Sequence, residues 1–166
     1  MPFTFTKCPI EGLYEIQPKV FGDNRGYFFE SYKEEEEEFF ANGLTMKFVQ
    51  DNQSSSKKGV LRGLHFQKKF PQGKLVRAIS GQVIDIAVDL RNNSKTFGQY
   101  YSVLLDSEKQ NQFYIPEGFA HGFYVKSESA IFAYKCTDYY HPEDESGIYW
   151  SDPTINIDWK NIINND

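Results

Sequence analysis

Histidine is scarce in this chain, and its three copies are the first candidates for proton chemistry. They are His65, His121 and His141. Imidazole titrates near neutral pH, so a histidine can accept or donate a proton there. His65 and His121 fall in segments with strand character, whereas His141 lies in a Tyr-His-Pro loop signal. Any of the three could instead be a hydrogen-bonded structural residue, and spacing alone does not decide between these readings.

The surroundings of the first two histidines favour proton transfer over metal binding. Strand alternation places His65 on one face with Gly63 and Gln67, and Arg62 precedes it closely. His121 ends a Pro-x-Gly-x-x-His stretch that resembles the second motif of the cupin superfamily, whose fold is a small β-barrel. Metal-binding cupins also carry an earlier His-x-His pair, but here the third residue is Gln67. One histidine from each motif makes a poor transition-metal site, so the prediction is no metal and no cofactor.

The remaining sequence predicts an all-β protein with a few short helices. One hairpin is clear, with Gly81 between two β runs, and its second run carries Asp85 inside an apolar segment. A buried aspartate needs a partner or a polar cavity, and a satisfied structural role is the simpler interpretation. Glu34–Glu38 is interpreted as the solvated face of a short helix. Predicted strands cover residues 13–21, 26–32, 47–50, 60–67, 74–80, 82–89, 98–105, 112–115, 122–125 and 130–137.

Composition limits the class of protein. The 166 residues predict one domain spanning 1–166, and 15 Phe with 11 Tyr favour strands. A net charge of −5 argues against nucleic-acid binding. Cys8 and Cys136 are far apart and are expected to be free thiols in a reducing compartment. Neither a signal-peptide pattern nor a membrane-length apolar run is present, so the expected location is the cytoplasm.

Several segments together resemble the dTDP-4-dehydrorhamnose 3,5-epimerase family, which belongs to the cupin superfamily. The similarity runs from about residue 10 to about residue 160, and the matching stretches keep a consistent spacing. They are residues 18–30, 48–52, 59–67, 72–77, 83–90, 115–123, 134–135, 147–150 and 157–159. The resemblance implies a cupin-type β-barrel, or jelly roll, and a nucleotide-linked 4-keto-6-deoxyhexose as substrate.

The resemblance also implies a mechanism and a set of residues. A C4 ketone acidifies the hydrogens at C3 and C5, and an epimerase removes a proton from one face and returns one from the other. By family match, His65 is the base, Tyr134 is the proton donor and Lys74 lies near the keto oxygen. Tyr139 or Tyr140 would stack on the thymine. The residues matched to nucleotide or sugar binding are Arg25, Glu30, Gln50, Asn52, Arg62, His121, Tyr140 and Glu145. Family members pair as homodimers, with the strand that carries Glu30 reaching the neighbouring site.

One departure from the family pattern concerns the orientation of the base. The family has an aspartate in a Ser-x-Lys-Asp stretch after the last tryptophan, and this aspartate orients the catalytic histidine. After Trp159 the present sequence reads Lys-Asn-Ile-Ile-Asn-Asn-Asp and contains no such stretch. The chain is then naturally short, or truncated, or another acid such as Asp85 orients His65.

The expected activity is therefore 3,5-epimerisation of dTDP-4-dehydro-6-deoxy-D-glucose to dTDP-4-dehydro-L-rhamnose, a step in dTDP-L-rhamnose biosynthesis. Two alternatives remain open at this point. One is an epimerase that acts at a single carbon or on another nucleotide-linked 4-keto sugar. The other is a sugar-nucleotide binding module with little turnover.

Overall fold

Two antiparallel sheets face each other in the computed structural model, which describes residues 3–34, 44 and 47–164. The first seven strands are β1 (Phe3–Lys7), β2 (Tyr14–Pro18), β3 (Phe21–Asp23), β4 (Gly26–Phe28), β5 (Gln50–Lys57), β6 (Leu61–Gln67) and β7 (Lys74–Ser80). The remaining strands are β8 (Gln82–Asp89), β9 (Tyr100–Asp106), β10 (Gln112–Ile115), β11 (Phe119–Val125), β12 (Ser129–Cys136) and β13 (Glu145–Gly147). A 3-10 turn, Pro142–Asp144, precedes β13, and a short helix α1 (Trp159–Asn164) follows it.

The strand order explains how distant segments meet. One sheet has the order β1-β2-β10-β7-β12-β5, and the other has the order β13-β6-β11-β8-β9. The hairpin β3–β4 forms a two-stranded sheet of its own. Among the described residues, no helix has the length and apolar character needed to cross a membrane.

The main core fills the space between the two sheets. Val76, Phe113 and Phe132 from the six-stranded sheet pack with Val83 and Leu105 from the five-stranded one. A second cluster lies on the outer face of the five-stranded sheet, where Leu64, Ile84, Ile86 and Val88 pack against the segment that holds Ile157 and Trp159. Because β8 is covered on both faces, its residues form an almost continuous apolar run.

The all-β prediction is confirmed, and the predicted bounds of β7, β8 and β10 match the structure. Predicted strand 47–50 is wrong, since residues 47–49 are irregular and the strand begins at Gln50. Strands β1, β5 and β13 were not predicted. The segment predicted over 13–21 is divided into β2 and β3, and the one over 26–32 ends at Phe28. The predicted helix at Glu34–Glu38 lies outside the described residues apart from Glu34, which is in a turn.

The sequence does not predict strand β5, because every residue in it is polar. It reads Gln-Asp-Asn-Gln-Ser-Ser-Ser-Lys. It is the edge strand of its sheet and pairs with β12 along eight residues. Cross-strand pairing with an apolar neighbour stabilises such a strand. The residues of the segment itself carry no pattern that predicts this pairing.

Candidate active site

A pocket of about 470 Å³ opens between the two sheets and contains most of the residues that could do chemistry. The five-stranded sheet contributes Arg62 and His65 from β6, His121 from β11 and Glu145 from β13. The six-stranded sheet contributes Asn52 from β5, Lys74 from β7 and Tyr134 from β12. The volume is in the range of pockets that hold small molecules. The histidines and the tyrosine–lysine pair therefore belong to opposite walls.

A β-bulge allows both Arg62 and His65 to line this pocket. In a regular strand, residues three apart point to opposite faces. Here His65 pairs with His121 and Arg62 pairs with Phe123, so the register shifts by one residue between them. Gly63 has φ of +112°, and a Cβ built on Gly122 would lie 2.5 Å from the Arg62 carbonyl oxygen. Glycine at both positions permits this close approach of β6 and β11.

His65 is the more accessible of the two pocket histidines. Its side chain is 53% exposed, and its Nδ1 lies 3.4 Å from Oε1 of Glu145. The Tyr140 hydroxyl donates a hydrogen bond of 2.7 Å to the other Glu145 oxygen. This bond raises the pKa of the Tyr140 phenol, because it stabilises the neutral form beside the carboxylate.

His121 is buried and has a different partner. Its Nε2 lies 2.7 Å from Oδ2 of Asp85, which is fully buried. Burial lowers the pKa of His121 and raises the pKa of Asp85, and the contact between them opposes both shifts. Asp85 thus has a structural partner, as the simpler interpretation of the sequence predicted. It does not orient His65, so the proposal that Asp85 replaces the family aspartate is wrong.

Tyr134 and Lys74 lie side by side on the opposite wall. The Lys74 ammonium is 5.6 Å from the centroid of the Tyr134 ring. Burial raises the pKa of Tyr134, while a hydrogen bond from Asn52 opposes the rise. Burial lowers the pKa of Lys74, while electrostatic interactions with Cys136, Asp85 and Glu145 oppose the fall. The Tyr134 hydroxyl and the Lys74 amine thus face the same cavity.

Hydrogen bonds connect the polar strand β5 to the loop after β12. The Gln50 amide nitrogen donates to Oδ1 of Asn52 at 2.9 Å, and the Gln50 oxygen accepts from the Tyr140 backbone at 3.0 Å. Gln67 extends the same support, since it donates to the carbonyls of Phe70 and Tyr139. Gln67 and Gln72 line the pocket without having been predicted as site residues. The alternation that placed Gln67 on the His65 face was the available signal.

Two residues predicted for ligand binding lie elsewhere. Arg25 is in the hairpin β3–β4, where its guanidinium binds Asp23 at 2.6 Å and is 86% exposed. Glu30 follows the same hairpin and is not among the residues that line the pocket. Within one chain, the structure therefore does not place Arg25 or Glu30 among the residues that line the pocket with His65. Gln50, a third predicted binding residue, does not line the pocket either, but it donates a hydrogen bond to Asn52, which does.

No group of three His, Cys, Asp or Glu side chains that could hold a metal ion occurs among the described residues. Cys8 and Cys136 are both free thiols. Burial raises the pKa of each to about 11, so neither favours the thiolate form.

Comparison with known proteins adds independent findings. A family model described as dTDP-4-dehydrorhamnose 3,5-epimerase matches residues 7–166. The dTDP-4-dehydrorhamnose 3,5-epimerase of Methanothermobacter thermautotrophicus is 55% identical over 157 residues, covering 95% of this chain and 84% of the relative. The enzyme of the same name from Pseudomonas aeruginosa is 53% identical over 154 residues, covering 93% of this chain and 84% of the relative.

Solved structures agree with this likeness. A dTDP-6-deoxy-D-glucose-3,5-epimerase from Legionella pneumophila, in complex with dTDP-4-keto-L-rhamnose, has a TM-score of 0.91 and 53% identity. It covers 95% of this chain, which spans 83% of that protein. A 3'-monoepimerase from Streptomyces bikiniensis, in complex with dTDP-quinovose, has a TM-score of 0.83 and 29% identity, covering 92% of this chain and 77% of its own. The prediction of a cupin-type fold is confirmed by these likenesses.

Proposed function

The chain belongs to the dTDP-4-dehydrorhamnose 3,5-epimerase family, and from this premise we propose that it converts dTDP-4-dehydro-6-deoxy-D-glucose to dTDP-4-dehydro-L-rhamnose. This reaction serves dTDP-L-rhamnose biosynthesis. The observation that carries the proposal is the arrangement of one pocket with His65 on one wall and Tyr134 with Lys74 on the other. That a metal and a cofactor are unnecessary, and that the enzyme works in the cytoplasm, stay predictions.

The proposed chemistry needs one base, one acid and one positive charge. The substrate ketone makes the hydrogens on the adjacent carbons acidic, and His65 accepts one of them as a proton. The electron pair left on carbon moves onto the keto oxygen, where Lys74 stabilises the enolate charge. Tyr134 then delivers its hydroxyl proton to the opposite face of the same carbon. Proton exchange with solvent restores His65 and Tyr134 before the second carbon reacts.

The test of the function follows solvent hydrogen into the sugar. The protein is incubated with dTDP-4-dehydro-6-deoxy-D-glucose in deuterated water, and C3 and C5 are monitored by NMR. Label at both carbons with formation of the L-rhamno product is the expected result. Label at one carbon would instead support a monoepimerase, the activity named for the relative that is 29% identical. Binding without label at either carbon would leave a sugar-nucleotide binding module.

Tyr134→Phe is expected to separate proton removal from product formation. The phenylalanine keeps the ring packing with Phe132 but has no hydroxyl proton to deliver. Product should form about 10²-fold more slowly, the lower end of what general acid catalysis contributes, while exchange through His65 continues. Tyr149→Phe is the matched control, since Tyr149 is 83% exposed and outside the pocket. Unchanged product formation in Tyr134→Phe would contradict the role of proton donor.

We further propose that the active form is a homodimer in which the hairpin β3–β4 completes the partner's pocket. Arg25 on this hairpin would then bind the substrate diphosphate by bidentate hydrogen bonds. Phe21, Tyr27 and Phe28 are each more than half exposed, which supports an apolar contact there.

A mixing experiment tests this arrangement. Arg25→Ala and His65→Ala should each be inactive alone, because each spoils both sites of its own homodimer. After subunit exchange, a mixed dimer would contain one site with both residues intact, so activity should return. A monomeric mass in solution, or no activity after mixing, would contradict the proposal.

A further inference from the structure

The side chain of Glu145 contacts the proposed base at Nδ1, one of its two ring nitrogens. A histidine base works well only if its other nitrogen is held in one protonation state by a partner. Nδ1 of His65 lies 3.4 Å from Oε1 of Glu145. Of the carboxylates that the structure describes, Glu145 is the one in contact with His65, because Asp85 is committed to His121.

The backbone fixes this contact across two paired strands. Strand β13 pairs with β6 so that Gly147 lies opposite His65 and Glu145 lies opposite Gln67. Residues two apart on a strand share a face, so Glu145 is a diagonal neighbour of His65 on the same side. Gly147 lies beside the ring, since a Cβ built there would lie 3.8 Å from Nδ1, in ordinary van der Waals contact.

A hydrogen bond from Tyr140 holds the carboxylate itself. The Tyr140 hydroxyl donates to Oε2 of Glu145 at 2.7 Å, which leaves Oε1 directed toward His65. Tyr140 is in turn anchored through its backbone nitrogen, which donates to the Gln50 side chain at 3.0 Å. The chain of contacts therefore runs from strand β5 through Tyr140 and Glu145 to the imidazole.

We propose that Glu145, held by Tyr140, is the positioning residue for His65. Its carboxylate accepts a hydrogen bond from Nδ1–H, which fixes the tautomer and leaves the Nε2 lone pair free to remove the substrate proton. In this role Glu145 acts through His65, beyond the substrate binding that the family resemblance implies for it. The inference rests on the proposed function only for its catalytic consequence, since the tautomer is a property of the free protein.

The test measures that tautomer without substrate. Protein labelled with ¹⁵N in histidine is studied by NMR at a pH at which the His65 ring is neutral, and the ring nitrogen shifts distinguish Nδ1–H from Nε2–H. The wild-type ring should be almost entirely Nδ1–H. Glu145→Ala should produce a large Nε2–H population, and Glu145→Gln, which keeps an acceptor oxygen, should lie between the two.

The matched control is Glu143→Gln, in the 3-10 turn just before β13. Glu143 contacts His141 at 3.3 Å instead of His65, so this variant removes the same charge from nearby and should leave the His65 tautomer unchanged. With substrate, Glu145→Ala should lower kcat by about 10- to 100-fold, as losing the outer partner of a histidine does at metal sites. Its Kd for dTDP should change much less.

The outcomes separate the two proposals. An unchanged Nδ1–H population in Glu145→Ala overturns the positioning role, whatever happens to activity. A shifted tautomer in a protein whose wild type shows no solvent exchange would instead sustain the positioning role and defeat the proposed function.

Discussion

His65→Ala should abolish solvent exchange at both C3 and C5, with exchange rates reduced by about 10⁴-fold, the upper end of what a general base contributes. The physical reason is that His65 is the accessible imidazole of the pocket, whereas His121 is buried with its Nε2 against Asp85. Burial lowers the pKa of His121, and its Nε2 is already occupied by the contact with Asp85. NMR in deuterated water measures the exchange directly.

His141→Ala is the control for this variant. His141 stacks on Phe70 at 4.0 Å between centroids and lies outside the pocket, so its loss should leave exchange unchanged. Affinity for dTDP, measured by calorimetry, should also survive in His65→Ala, because the ring is assigned to the sugar. Persistent exchange in His65→Ala would show that another group is the base, and lost dTDP binding would show that the ring serves the nucleotide.

Lys74→Met should lower kcat by about 10²- to 10³-fold, the usual effect of removing one group that stabilises an enolate or oxyanion. Methionine keeps the length of the side chain and loses the charge. Exchange at both carbons should slow together, since the same keto oxygen carries the negative charge in both steps. Undiminished turnover would contradict the placement of Lys74 at that oxygen.

The same substitution should make the protein more stable. Burial lowers the pKa of Lys74, so the charged form is less favourable in the folded than in the unfolded chain. Below the lowered pKa this cost is fully present. This cost is lost as the pH rises from the lowered folded-state pKa to the unfolded-state pKa of about 10.4. Between these two pKa values the unfolded chain binds more protons than the folded one. Wild-type stability should therefore rise with pH there, and Lys74→Met should lack that part of the rise.

Lys135→Met is the matched control for both measurements. Lys135 follows Tyr134 on β12, faces the opposite side of the sheet and bonds Asp51 at 3.0 Å. Its replacement removes one lysine charge from the same strand neighbourhood without touching the pocket. Activity should stay at the wild-type level, and the melting temperature should not increase. A gain in stability in Lys135→Met equal to that in Lys74→Met would show that burial of Lys74 is not the cause.

Local sequence determined much of the architecture and supplied the candidates for the base. Apolar runs with glycine turns predicted β7, β8 and β10 with their observed bounds, because burial on one or both faces leaves a pattern in a single segment. The small number of histidines, together with the Pro-x-Gly-x-x-His stretch, made His65 and His121 candidates for proton transfer. That the whole chain forms one domain stays a prediction.

Tertiary structure decided the contacts between segments far apart in sequence. Strand β5 is polar and forms because β12 pairs with it, and the bulge at Gly63 and Gly122 brings Arg62 to the same pocket as His65. The partners of Asp85 and Glu145 follow from strand register, which no local pattern encodes. The sequence by itself therefore determined which side chains are candidates for proton transfer. Pairing between distant strands decided which carboxylate contacts each histidine. Such side-chain contacts depend on the register of the strands, whereas the periodicity of a single segment indicates only which face is buried.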